Sequence, residues 1–238
     1  MTSPSEPTAA DHGAPGAQAA RGAHGGRDAQ GGRDAHADGP GAGAVPTAAA
    51  LAQALPAALE QRDRVVLEPT GRDAGVLLIL FDLDDAGHVV LTKRSEFVAT
   101  HKGEISLPGG KFEPDDGDLL GSALRETEEE IAIPRADLTV LGPLDDVHTM
   151  ASGFTVSPWV AHHAGGRPEM TPEASEIARI LEVPLADVLA ADRLIPEPPT
   201  IETLRYPLMG EDVWGLTARI LRTFSDVVHR IAAPGAGR

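Results

Sequence analysis

Four glutamates fall within five positions of the stretch RETEEEIAI, at Glu126 and at Glu128 to Glu130. Carboxylates that close repel one another. Either their pKa values rise or a cation neutralises them. On a helix turning about 100° per residue, Glu129 and Glu130 lie about 60° and 40° to either side of Glu126. Three acids then share one side, while Glu128 points away. Leu120, Leu124, Thr127 and Ile131 form a separate, mostly apolar face. Hard oxygen ligands of this kind suit Mg²⁺ or Mn²⁺. A solvated acidic helix face is the plain alternative, because exposed acids commonly do no more than solvate.

Two neighbouring features bear on that choice. Arg125 stands four residues before Glu129, a spacing that allows an ion pair to hold the glutamate. Upstream, LPGGK at Leu107 to Lys111 reads as a Pro-Gly-Gly loop between a strand and the helix. Paired glycines let backbone N–H groups approach an anion closely, and Lys111 adds a positive charge.

The elements that must position these groups follow from hydropathy and turn signals. PTAAALAQALPAALEQRD reads as a helix, with Pro56 expected to kink or end it. AGVLLILFD is a buried strand, DDAG a turn and HVVLTKR a second strand, giving a hairpin. DDGDLLGSALRETEEEI is the acidic helix. DLTVLGPLDDVHTM and FTVSPWVAHH read as strands. EIARILEVPL is a strand running into the short helix LADVLAA, and IETLRYPLM is another strand. In the last helix Leu216, Ile220, Leu221, Phe224, Val227, Val228 and Ile231 recur at helical spacing. The elements lack a regular βαβ rhythm. An α/β (α+β) fold with a mixed sheet covered by helices is expected.

Composition narrows the setting. The 238 residues carry a formal charge of −16, which repels free nucleic acid. A phosphate-bearing substrate therefore needs a local positive feature. There is no cysteine, so disulfides and thiolate chemistry are excluded. GVLLILF is too short to span a bilayer, and the first residues lack the order of a signal peptide. A cytoplasmic chain without membrane partners is expected. Residues 1–44 are built mainly from Gly, Ala, Asp, Arg, His and Pro, with GGRDAQ followed by GGRDAH, and are expected to be a disordered tail. The folded domain is placed at 45–233 and a second disordered end at 234–238.

Taken together, the loop and the helix resemble a Nudix box, G-x5-E-x7-R-E-U-x-E-E-x-G-U, with U a bulky aliphatic. Gly110, Arg125, Glu126, Glu129, Glu130 and Ile133 match. The span from Gly110 to Arg125 is one residue longer than the pattern. Asp116 or Asp118 stands near the early glutamate, Thr127 replaces the aliphatic and Ala132 the late glycine. The longer span resembles the coenzyme A diphosphatase branch, whose upstream pattern L-L-T-x-R-S-x3-R-x3-G-x3-F-P-G-G is similar to VLTKRSEFVATHKGEISLPGG at Val90 to Gly110. Ala99 stands where that pattern has arginine, and Leu107 where it has phenylalanine. Lys93, Arg94, His101 or Lys102 could compensate for the missing cation.

The resemblance implies a Nudix αβα sandwich and a metal-dependent hydrolase of X-linked nucleoside diphosphates, with X phosphopantetheine. Glu126, Glu129 and Glu130 would ligate Mg²⁺ or Mn²⁺. Arg125 would assist catalysis, and Arg94, Gly109, Gly110 and Lys111 would bind substrate. Glu176 is a candidate base because its segment resembles a family segment. The expected partner is a CoA-like nucleotide diphosphate, and exposed strands leave room for a homodimer. Two rivals remain open: a Nudix hydrolase of ADP-ribose or another nucleoside diphosphate derivative, and a nucleotide-sensing module without turnover. His148, His162 and His163 lack paired metal-ligand spacing. Trp159 and Trp214 are read as core anchors before base-stacking groups.

Overall fold

The central strand is the most apolar segment of the chain, and its alternation serves two cores at once. We describe a computed structural model over residues 45–97, 102–149 and 152–233. The tail at 1–44, the end at 234–238, Ala99 and His101 lie outside the described residues. Strand β1 (Asp73–Leu83) turns at Asp84 and Asp85, both at positive φ, into β2 (Ala86–Arg94). Such a two-residue turn matches the twist of paired strands. Further strands are β3 (Ile105–Ser106), β4 (Gly109–Lys111), β5 (Leu138–Pro143), β6 (Val147–His148), β7 (Thr155–His163) and β8 (Ile177–Pro184). All eight form one mixed sheet around the core order β3-β2-β1-β7-β5. β4 joins β1, β6 joins β7 and β8 joins β2; only β1 and β7 run parallel among these pairs.

Helices α1 (Ala48–Glu60), α3 (Leu185–Asp192) and α4 (Gly215–Ala232) cover one face. There Leu51, Leu55, Val188 and Phe224 pack with Leu78, Leu80, Val89 and Leu91. Helix α2 (Leu119–Ile131) covers the other, where Ala123 and Ile131 meet Leu77, Ile79, Phe81 and Val90. Alternate residues of β1 thus point to opposite layers. The result is the αβα sandwich with a mixed sheet that the sequence suggests.

Three local expectations are corrected. Pro56 lies inside α1, which continues to Glu60. Burial of Leu51, Leu55 and Leu59 outweighs the hydrogen bond proline cannot donate. The glycines at 109 and 110 form strand β4, in register with Val76 and Gly75, and not a loop. IETLRYPLM contributes only β9 (Tyr206–Leu208), which pairs with β10 (Glu211–Val213) in a separate two-stranded sheet. Among the described residues no helix is long and apolar enough to cross a membrane.

Candidate active site

Helix α2 starts where Asp118 accepts a hydrogen bond from the Gly121 N–H at 2.7 Å. It lies unusually close to the sheet. A Cβ on Gly75 would fall 1.9 Å from the Leu119 carbonyl oxygen. Ser122 is buried beneath the helix and donates to the Gly110 and Lys111 carbonyls at 3.1 and 3.0 Å. Thr127 is fully buried and donates to the Ala123 carbonyl at 2.7 Å, so its hydroxyl is satisfied where the family pattern has an aliphatic. The helix ends on Ala132 at φ +59°, the left-handed position glycine favours.

This docking lowers two carboxylates onto β4. Glu130 is 5% exposed and accepts the Gly109 N–H at 3.1 Å. Burial pushes its carboxyl up to about 7, against the pull of Gly109 and Arg94. Glu126 is half-buried over Gly110, where an added Cβ would sit 2.3 Å from its carboxyl carbon. Burial raises Glu126 as well, with Arg125 opposing. The Gly109 N–H is thus held by Glu130, one of the candidate metal ligands.

Arg125 organises the other side. Its Nε and one terminal nitrogen meet both oxygens of Asp116 at 2.7 and 3.2 Å. The same guanidinium reaches Glu126 at 3.2 Å, Glu129 at 2.9 Å and the Lys111 carbonyl at 3.0 Å. Asp116 is held below the usual carboxylate range by Arg125, and Arg125 is held firmly charged in return. Of the two candidates near the early glutamate, Asp116 therefore grips the arginine and Asp118 caps the helix.

Of the three acids expected to converge, Glu126 and Glu130 are the more buried pair, and Glu129 acts electrostatically on Glu126 from a more exposed position. Glu129 is 59% exposed, drawn along the helix surface by Arg125. Besides Glu126, a further acid near Glu130 comes from another element. Arg94, at the end of β2, lies 3.5 Å from Glu130 and 3.7 Å from Glu176, just before β8. Glu176 acts electrostatically on both Glu126 and Glu130. Backbone bonds fix this grouping: Thr171 and Glu173 donate to the Ile131 and Glu130 carbonyls at 3.0 and 2.8 Å, and Ser95 donates to the Glu176 carbonyl at 2.7 Å.

Other candidates are elsewhere. Lys93, on the opposite strand face to Arg94, pairs with Glu211 at 3.0 Å. Lys111 is exposed, its ammonium 5.8 Å from the Phe154 ring centre. His162 is paired with Leu80, five residues along from the Gly75–Ser157 pair, or about 16 Å down the strand. Trp159 packs against the second core cluster under Arg64, and Trp214 is half-exposed before α4. Asp192, Asp226 and His229 bring ligand-type atoms within 4.8 Å of one another. That cluster already holds the Arg222 guanidinium, 3.2 Å from Asp192 and 3.6 Å from Asp226, and the Tyr206 hydroxyl at 2.5 Å. We read it as an internal ion-pair network.

The comparisons with known proteins agree with this frame. The family model for the NUDIX domain matches residues 71–204. The uncharacterized Nudix hydrolase NudL of Yersinia pestis (strain Pestoides F) is 33% identical over 164 residues, covering 67% of this chain and 81% of that protein. An Ap4A hydrolase of C. elegans, solved as a binary complex, is similar at 18% identity, with 66% of this chain and 98% of that one covered and a TM-score of 0.47. The NUDIX domain of Shewanella oneidensis NrtR complexed with ADP ribose is 17% identical, covering 61% and 84%, with a TM-score of 0.40. The class is that of hydrolases acting on phosphorus-containing anhydrides, which generally use divalent metal ions. Within it, the chain belongs to the Nudix family, whose members act on nucleoside diphosphate derivatives.

Proposed function

We propose that this hydrolase splits the diphosphate of coenzyme A or a derivative, giving 4′-phosphopantetheine and adenosine 3′,5′-bisphosphate. The observation that carries the reading is the double hold on Glu130. Arg94 touches one of its oxygens and the Gly109 N–H the other. These two residues lie near the two ends of the Val90–Gly110 segment that resembles the CoA diphosphatase pattern. That segment therefore frames the same acid that the box contributes.

Glu126 and Glu130 fit Mg²⁺ or Mn²⁺ on chemical grounds. They offer hard oxygen donors, and burial makes their ionised forms costly without a cation. Glu129 would complete the set if its carboxylate turned from Arg125 toward the metal. Bound there, the metal would neutralise diphosphate charge and acidify a water. The chain's own groups do the remainder. Asp116 and Arg125 fix the Glu126 carboxylate, and Arg94, beside Glu130 and Glu176, is the guanidinium we assign to a phosphate oxygen. Glu176, 51% exposed and beside Arg94, is the acid we assign to accept the water's proton. Within the same reading, residues 45–233 form the catalytic domain and the protein works in the cytoplasm.

The test is turnover of CoA with Mg²⁺ or Mn²⁺, beside ADP-ribose and dinucleoside polyphosphates. Release of adenosine 3′,5′-bisphosphate supports the assignment. Cleavage of ADP-ribose well above CoA would move the chain to another Nudix activity.

A further inference from the structure

A second feature lies on the other face of β4 from the acids. A cavity of about 300 Å³ is lined by Gly71, Arg72, Asp73, Lys111, Phe112 and Phe154. Its size is at the lower end for small-molecule sites, about 300–1,000 Å³, and suits a fragment more than a whole substrate. Two of its walls are phenyl rings and two are cations. Among the described residues no carboxylate pairs with Arg72 or Lys111; Arg72 donates to the Ser152 carbonyl at 3.1 Å, and Lys111 rests over Phe154. This stands out in a chain of charge −16, where many arginines are held by acids. Asp73, the one acid in the lining, is engaged by the Thr70 and Gly71 N–H groups at 3.1 and 3.2 Å.

Lys111 follows Gly110 on β4, and Gly110 packs against the Glu126 carboxylate. Its side chain leaves the opposite face of the strand. Among the described residues β4 pairs with no strand but β1, and along its other edge the Glu130, Ser122 and Arg125 side chains hold the Gly109 N–H and the Lys111 carbonyl. Aromatic faces beside unpaired cations recognise a base that carries phosphate.

We propose that the Arg72–Lys111–Phe112–Phe154 cavity binds the base and non-bridging phosphate of the nucleotide half of the substrate. The inference deepens the functional reading above and rests on it for the identity of that nucleotide. The cations take the phosphate, and the rings take the base.

The test is calorimetric titration of the full-length protein, in chelator, with adenosine 3′,5′-bisphosphate, adenosine and inorganic phosphate. The bisphosphate should bind more tightly than adenosine or phosphate alone. Arg72→Gln and Lys111→Gln should each weaken it about tenfold, and Phe112→Ala, at a 39% exposed position, should weaken bisphosphate and adenosine alike. Phe154 packs on the core, so Phe112 is the safer ring to remove. In turnover, Arg72→Gln should raise KM with kcat unchanged. Absence of bisphosphate binding, or equal affinity in all variants, overturns the inference. If the variants lose binding while CoA is not hydrolysed, the cavity assignment stands and the CoA reading falls. If CoA is hydrolysed with KM unchanged in the variants, the reverse holds.

Discussion

Glu126 and Glu130 are ionisable groups placed where ionisation is expensive, and that cost can be measured. Glu130 sits at about 7 against an ordinary value of 4.5. The folded chain therefore holds this proton more tightly than the unfolded chain. Stability of the metal-free protein should be full below pH 4.5 and decline as pH rises toward 7, by on the order of 3 kcal/mol. Thermal unfolding in chelator across that range checks the slope, and Glu130→Gln should flatten it. With Mg²⁺ and CoA, Glu126→Gln and Glu130→Gln should each lower kcat about 10²-fold. Glu129→Gln should cost less, about tenfold, because Glu129 begins exposed and held by Arg125. Near-normal turnover in folded Glu130→Gln protein would remove it from the ligand set. At this scale the sequence disclosed residue types better than directions. Helical spacing put Glu129 beside Glu126 and Glu130, and the Arg125–Glu129 pair was equally visible. Which of the two would decide the orientation was not, since it depends on Asp116 anchoring Arg125 from outside the helix. Phe154 and Arg72 carried no local signal, because only the fold brings them to Lys111.

At the scale of elements, the site depends on how close α2 lies to β1 and β4. Gly75→Ala would drive a Cβ into the Leu119 carbonyl, a backbone atom that cannot step aside. Circular-dichroism melting should show a loss of about 3 kcal/mol. Gly110→Ala collides instead with the Glu126 carboxyl, the end of a flexible side chain. It should therefore depress turnover more than stability. Ala132→Gly should stabilise the chain by about 1 kcal/mol, since φ +59° strains alanine. β1, α2 and α4 were legible because their apolar periods are long. β4 was not, because Gly109 and Gly110 have no side chains to show a strand's alternation. β10 was hidden for a related reason: Glu211–Val213 is three residues with one buried apolar group, and its pairing with β9 is tertiary information.

Over the whole molecule, the family match at 71–204 is narrower than the unit that must fold. Helices α1 and α4 lie outside it, yet Leu51, Leu55, Leu59, Phe224 and Val228 belong to the larger core cluster. A fragment of 71–204 alone should lack a cooperative unfolding transition, whereas one spanning 45–233 should melt like the full chain; calorimetry distinguishes them. Asp82 joins α1 to the sheet too, accepting the Ala48 and Ala49 N–H groups at 2.6 and 2.9 Å on the face of β1 that α1 covers. The backbone bonds that run from the last turn of α2 to the 171–176 segment carry a different implication. They couple the proposed metal-holding acid and the proposed proton acceptor to one local opening event. When that turn frays, both functions should vanish in concert, and amide exchange at Thr171 and Glu173 should keep time with the loss of activity on warming.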